Sequence, residues 1–138
     1  MSILAIDTST RKLSLALAQD ENIQYDKDFS LDKDLARQFP CLLDQFLASA
    51  NASLNHIDDI VVGIGPGSFT GLRVGLSSVK ALAFSLGALV YGLSSLDAIA
   101  YGVREFGSTI SVLLDAKRSL FYYATYDLKG GKLQLRGD

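Results

Sequence analysis

The first group in the chain able to do chemistry is Asp7-Thr8-Ser9-Thr10, a carboxylate at the end of an apolar strand followed by three hydroxyls. Such a carboxylate can position a hydrated cation while the hydroxyls and amides behind it meet a phosphate. A loop of that kind normally needs glycine, so that backbone can approach the phosphate closely. None occurs between Asp7 and Gly63. A carboxylate accepting hydrogen bonds from its own turn accounts equally well for the same residues. Both readings stay open, with Asp7, Thr8 and Ser9 as candidate phosphate or nucleotide contacts.

The second group is the turn Gly63-Ile64-Gly65-Pro66-Gly67-Ser68-Phe69-Thr70-Gly71. It is not G-x-G-x-x-G, because Ser68 stands at the third glycine. It is not a Walker A loop, because Leu72 follows Gly71 where lysine is required. What remains is a strand-to-helix reversal with Ser68 or Thr70 as N-cap. Gly65 and Gly67 are backbone candidates for an anion at the helix start, and a tight structural turn is the stronger reading. His56, the only histidine, lies in the polar stretch 51–59 and reads as solvated. No His, Cys, Asp or Glu grouping has metal-ligand spacing, so neither a metal nor a cofactor is expected. Cys41 falls in an apolar stretch and reads as a small buried hydrophobe in a reducing cytoplasm.

These groups need a scaffold to hold them. Ile3–Ile6, Leu13–Leu17 and Ile23–Phe29 read as three antiparallel strands. Leu35, Phe39, Leu42, Leu43, Phe46, Leu47 and Ala50 mark an amphipathic helix, with Pro40 predicting a kink or a late start. Residues 58–64 form a strand expected to be buried on both faces. Residues 72–86 form a helix closed by Gly87, residues 88–93 a strand, and Ser94 or Ser95 caps a helix to about Glu105. The order βββαβαβα specifies an α/β layer fold of the ribonuclease H type.

The segment 111–135 then repeats the opening layout. An apolar strand ends at Asp115 as the first ends at Asp7, and an alternating strand carries Tyr122, Tyr123 and Tyr126. Asp127 is matched to Asp20 in an acidic turn. Duplicated lobes of this design build the actin-like superfamily. The expected organisation is a first lobe over residues 1–107 and the opening strands of a second, incomplete lobe over 108–138. With 138 residues and a net charge of −2, the chain can bury one ordinary core and has no basic field for unaided nucleic-acid binding. Asp7 follows Met1 too closely for a signal peptide, and the apolar stretch 79–93 is broken by Lys80 and Gly87. A cytoplasmic protein without membrane contact is expected.

Four runs together resemble the TsaB (YeaZ) family: Ile3 to Ser9, Gly65 to Gly75, Gly92 to Ala98, and Leu114 to Arg118. The resemblance implies an actin-like fold without catalytic activity, a subunit once grouped with glycoprotease-like proteins. It implies pairing with a TsaD-type catalytic subunit and action with a TsaE-type ATPase in forming threonylcarbamoyladenosine at tRNA position 37, with tRNA engaged indirectly. It also implies a partner or homodimer interface on the first-lobe helices, here Leu35, Phe39 and Leu43 with Phe69, Leu72, Arg73 and Leu76. Val79 and Lys80 extend that helix row. Where the family commonly carries His-Ser before its first long helix, this chain has Asp34-Leu35, and the family is usually longer, with a complete second lobe. The competing classes are an actin-like ATPase or phosphotransferase working through Asp7, Thr8 and Ser9, and a self-associating module.

Overall fold

The computed structural model describes residues 1–31 and 34–137. Strands β1 (Ser2–Asp7), β2 (Lys12–Gln19) and β3 (Asn22–Ser30) form an antiparallel meander. Asp20 and Glu21 turn it with φ of 47° and 70°, both left-handed, which matches the twist of a tight hairpin. Helix α1 (Leu35–Ser49) carries Pro40 in its second turn; Asp32 and Lys33, just before it, lie outside the described residues. A 3₁₀ turn at Leu54–His56 leads to β4 (Asp59–Gly65). Helix α2 (Phe69–Leu86) ends at Gly87, whose φ of 69° makes it the left-handed C-terminal stop. Because α1 and α2 are crossovers, β4 and β5 (Leu89–Ser94) run parallel to β1, giving the sheet order β3-β2-β1-β4-β5.

Helix α3 (Ser95–Gly102) starts directly from β5, with the Ser94 hydroxyl accepting from the amides of Leu96 and Asp97 at 3.2 and 3.4 Å. It stops three residues before the expected Glu105, which belongs to a separate 3₁₀ turn, Arg104–Phe106. Strands β6 (Thr109–Lys117), β7 (Leu120–Lys129) and β8 (Lys132–Leu135) form a second antiparallel sheet. Its β7–β8 turn, Gly130-Gly131, is left-handed at both residues and therefore corresponds to Asp20-Glu21. Asp127 does not. It lies within β7 opposite Thr109 and binds Arg136, which corrects its pairing with Asp20. The Asp7–Asp115 correspondence is chemical as well as positional, since each accepts the backbone amide two residues ahead, from Ser9 at 2.9 Å and Lys117 at 2.7 Å.

The main core lies between the first sheet and α1 and α2. Leu4, Ile6, Leu13, Leu15, Ile60 and Val62 meet Phe39, Leu43, Phe46 and Leu47 of α1 and Val79 and Ala83 of α2. Every second strand residue points there, as the pleat requires. The opposite face of β4 is only partly covered, and Ile64 is exposed, so the strand is not buried on both faces. The short α3 leaves room beside it. Cys41 is exposed rather than buried. It sits two residues from both Phe39 and Leu43, about 200° around the helix from each.

A second, smaller core joins α3 to the second sheet: Leu96 and Ala100 pack on Ile110, Val112, Ala124, Tyr126 and Leu133. The buried Tyr126 hydroxyl donates to Asp97 Oδ1 at 2.5 Å. Burial first, then the hydrogen bond to Asp97, raises the Tyr126 pKa above its ordinary value. The fold thus favours the neutral hydroxyl. That stabilisation is complete below the unfolded tyrosine pKa of about 10 and is lost as pH rises through the higher folded value. Tyr126→Phe should lower stability by about 1–2 kcal/mol at neutral pH, with the difference from wild type shrinking in strongly alkaline buffer, as urea titrations at several pH values would measure.

Candidate functional site

Both motifs singled out in the sequence meet at one end of the first sheet. The loop after β1 and the turn after β4 lie side by side because their strands are adjacent and parallel. The Ser9 amide and hydroxyl donate to Asp7 Oδ1 at 2.9 and 2.7 Å. The Ser68 amide donates to the Ser9 carbonyl at 2.6 Å. The fully buried Thr8 donates its hydroxyl to the Gly71 carbonyl at 2.9 Å. Ser68 caps α2 by accepting from the Gly71 amide at 3.2 Å, as expected.

The glycines follow from this approach. A Cβ on Gly63 would stand 1.9 Å from Asp7 Oδ2, one on Gly67 2.4 Å from the Ser9 carbonyl oxygen, and one on Gly71 2.1 Å from the Thr8 carbonyl oxygen. Gly75, one helical turn further on, would place a Cβ 2.1 Å from Thr8 Oγ1. The row 67, 71, 75 is therefore a smooth helix edge along which the loop 7–9 lies. Gly65, at φ 93°, turns the chain beneath Leu72.

Several of the groups that could meet an anion have partners within the chain. The Ser68 and Gly71 amides and the Thr8 hydroxyl all bond to the protein itself, and the glycines admit the chain's own loop. Asp7 instead lines a groove of about 450 Å³ on the other face of the sheet, with Ala5, Ala16, Val61, Ser95 and Ala98. Asp26 and Asp28 line it too, and a hydrogen bond from Ser14, then Lys12, holds Asp28 below the usual carboxylate range. Three carboxylates would repel an anion. Among the described residues no group of three His, Cys, Asp or Glu side chains could hold a metal ion, and His56 is exposed.

The helix-face candidates separate into two sets. Phe39 and Leu43 belong to the home core, and Leu35 and Leu76 pack partly buried against it; Val79 is fully buried. Leu72 is half-buried over Gly65. Phe69 is 74% exposed, with the Arg73 guanidinium 5.5 Å from its ring centroid. Helical spacing continues this exposed stripe through Ser77 and Lys80 to Phe84, which is 92% exposed. A shallow cavity of about 370 Å³ beside it is lined by Phe69, Thr70, Arg73, Val74, Ser77 and Ala36 of α1. Phe84 escaped the sequence reading because an apolar residue in an apolar helix gives no sign of its direction. The i, i+4 spacing from Lys80 was the available signal.

The family model "TsaD: tRNA N6-adenosine threonylcarbamoyltransferase" matches residues 30–137. The tRNA threonylcarbamoyladenosine biosynthesis protein TsaB of Bacillus subtilis is 34% identical over 134 residues, 97% of this chain and 58% of that protein. The chain thus spans little more than half the length of that relative. The structure of YeaZ from Pseudomonas aeruginosa superposes with a TM-score of 0.87 at 29% identity, over 99% of this chain and 65% of that one. A ROK hexokinase from Thermus thermophilus, at 13% identity and a TM-score of 0.58 over 97% of this chain and 49% of its own, shares the fold.

Two outcomes test the interlock. Gly75→Ala should destabilise by about 1–3 kcal/mol, and Thr8→Ala in the same chain should restore part of the loss, a coupling of about 0.5–3 kcal/mol in a double-mutant cycle. Magnesium ATP should leave the melting temperature unchanged, because a ligand that does not bind the native state cannot stabilise it.

Proposed function

This chain belongs to the TsaD-type family and, within it, to the TsaB/YeaZ group; from that premise we propose that it is a non-catalytic subunit. In this reading it supports a TsaD-type catalytic subunit, alongside a TsaE-type ATPase, in forming threonylcarbamoyladenosine at tRNA position 37. The supporting observation is the stripe Phe69, Arg73, Ser77, Lys80 and Phe84, which the home core leaves open. Arginine and aromatic side chains are enriched among interface anchors, and here Arg73 lies over the exposed Phe69 ring at the helix start. The loop that would serve catalysis is consumed by internal hydrogen bonds, which favours a scaffold over an ATPase or phosphotransferase.

The helix face works here by presenting surface. Its inner side, with Val79 and Ala83, fixes α2 on the sheet, and the interlock at Gly67, Gly71 and Gly75 fixes its start. Phe69 and Arg73 are therefore held by a rigid element, which lowers the entropy lost on docking.

Co-purification with the TsaD-type subunit tests the reading. Phe69→Asp and Arg73→Glu should each weaken the complex by about thirtyfold or more, the loss of roughly 2 kcal/mol expected of an interface anchor, while the isolated chain melts as wild type. Retention of the complex by both variants would reject the interface. If both variants instead convert a dimer of this chain to monomer in light scattering, without touching the partner, the face serves self-association.

A further inference from the structure

The two faces of the second sheet differ in chemistry. Strand parity and register place Ile110, Val112, Ala124, Tyr126 and Leu133 on the face toward α3, which is apolar and buried. The opposite face carries Phe121 and Tyr123 on β7, with Leu113 across from Tyr123. These three are 64%, 61% and 59% exposed. The remainder of that face is polar: Thr109, Ser111, Thr125, Asp127 and Gln134, with Asp115 across from Phe121 and Lys129 paired to Lys132 at its far end. This face sets two exposed rings among polar and charged side chains.

The charge is local. Residues 109–138 hold five Lys and Arg against three Asp, whereas the 108 residues before them hold eight against twelve Asp and Glu. Two of the three carboxylates are already engaged. Asp115 accepts from the Lys117 amide at 2.7 Å and faces its ammonium at 3.5 Å, and Asp127 takes both Nε and Nη2 of Arg136. Among the described residues Arg118, Lys129 and Lys132 have no ion-pair partner. They stand at opposite ends of β7, a strand of ten residues and therefore about 30 Å long. At the near end Lys117, Arg118 and Ser119 all hold left-handed φ of 67°, 53° and 62°, a turn that projects two cations without a glycine.

We propose that the open face of β6 and β7 binds single-stranded RNA, with bases stacking on Phe121 and Tyr123 and phosphates held by Arg118, Lys129 and Lys132. Residues two apart on a strand are about 6.6 Å apart, close to two steps of a nucleic-acid stack at about 3.4 Å each. Aromatic rings on an open sheet beside cations form the usual platform for unpaired bases. The Tyr123 hydroxyl is bonded to Thr125, which also shares a hydrogen bond with Ser111 at 3.1 Å, so this ring is held against the sheet. The inference stands apart from the subunit role, since it requires no catalytic partner.

Fluorescence anisotropy of the whole chain with a labelled mixed-sequence single-stranded RNA, and with the same RNA as a duplex, tests it. The single strand should bind more tightly. Phe121→Ala and Tyr123→Ala should each weaken it by about tenfold or more, as expected for one lost stacking contact; Phe121→Ala, whose ring is exposed, should keep the wild-type melting temperature. Tyr123→Phe should bind as wild type. Lys129→Ala with Lys132→Ala should reduce the slope of log affinity against log salt by about 1.4, or about 0.7 per lost phosphate contact on a single strand. Equal affinity for duplex and single strand, or ring variants that bind as wild type, would overturn the proposal. So would ring variants that lose a protein complex while the wild-type chain binds no RNA.

Discussion

The close contact between the loop after β1 and the start of α2 is the constraint on which the rest of the first lobe depends. Backbone meets backbone there, with Ser68 bonded to Ser9 and Thr8 to Gly71, and no side chain larger than hydrogen fits at residues 67, 71 or 75. This contact sets the height and rotation of α2 on the sheet. The rotation in turn decides that Val79 and Ala83 enter the core while Phe69, Arg73 and Phe84 face solvent. An exposed stripe and a buried packing stripe are two consequences of one interlock.

The same contact engages groups that a phosphate loop would hold free. A phosphate loop must leave its amides and hydroxyls free for ligand. Here the hydroxyl of Thr8, the amide of Ser68 and one oxygen of Asp7, Oδ1, are each bonded within the turn. The second lobe keeps an echo of the arrangement, since Asp115 accepts the Lys117 amide as Asp7 accepts that of Ser9. Asp7 also lies against Gly63, where an added Cβ would stand 1.9 Å from its Oδ2.

Much of the scaffold was legible in the sequence. Alternating Leu13, Leu15 and Leu17, the spacing from Phe39 to Leu47, and the stop at Gly87 are local signals, and the structure follows them. The glycine turn was legible as a turn, but its partner was not, because sequence does not show that residues sixty positions apart share one contact. Burial on specific faces was also hidden. Phe39 and Phe69 look alike in a helical pattern, and only the tilt of each helix sends one to the core and the other to water. Asp127 was misplaced for a similar reason: an acid near a strand end resembles a turn residue until the register puts it opposite Thr109.

The two sheets are joined by α3, which grows directly from β5 and packs its Leu96 and Ala100 on the second sheet. Asp97 anchors that packing through Tyr126. One side of the second sheet is packed on α3, and the side chains divide accordingly: Ile110, Val112, Ala124, Tyr126 and Leu133 toward α3, and Leu113, Phe121 and Tyr123 among polar and charged residues away from it. The α2 stripe belongs to the first lobe and the β6–β7 face to the second. A rigid α3 would let two such surfaces keep a constant relation, which is what a subunit needs if it is to hold a protein on one side and a nucleic acid on the other.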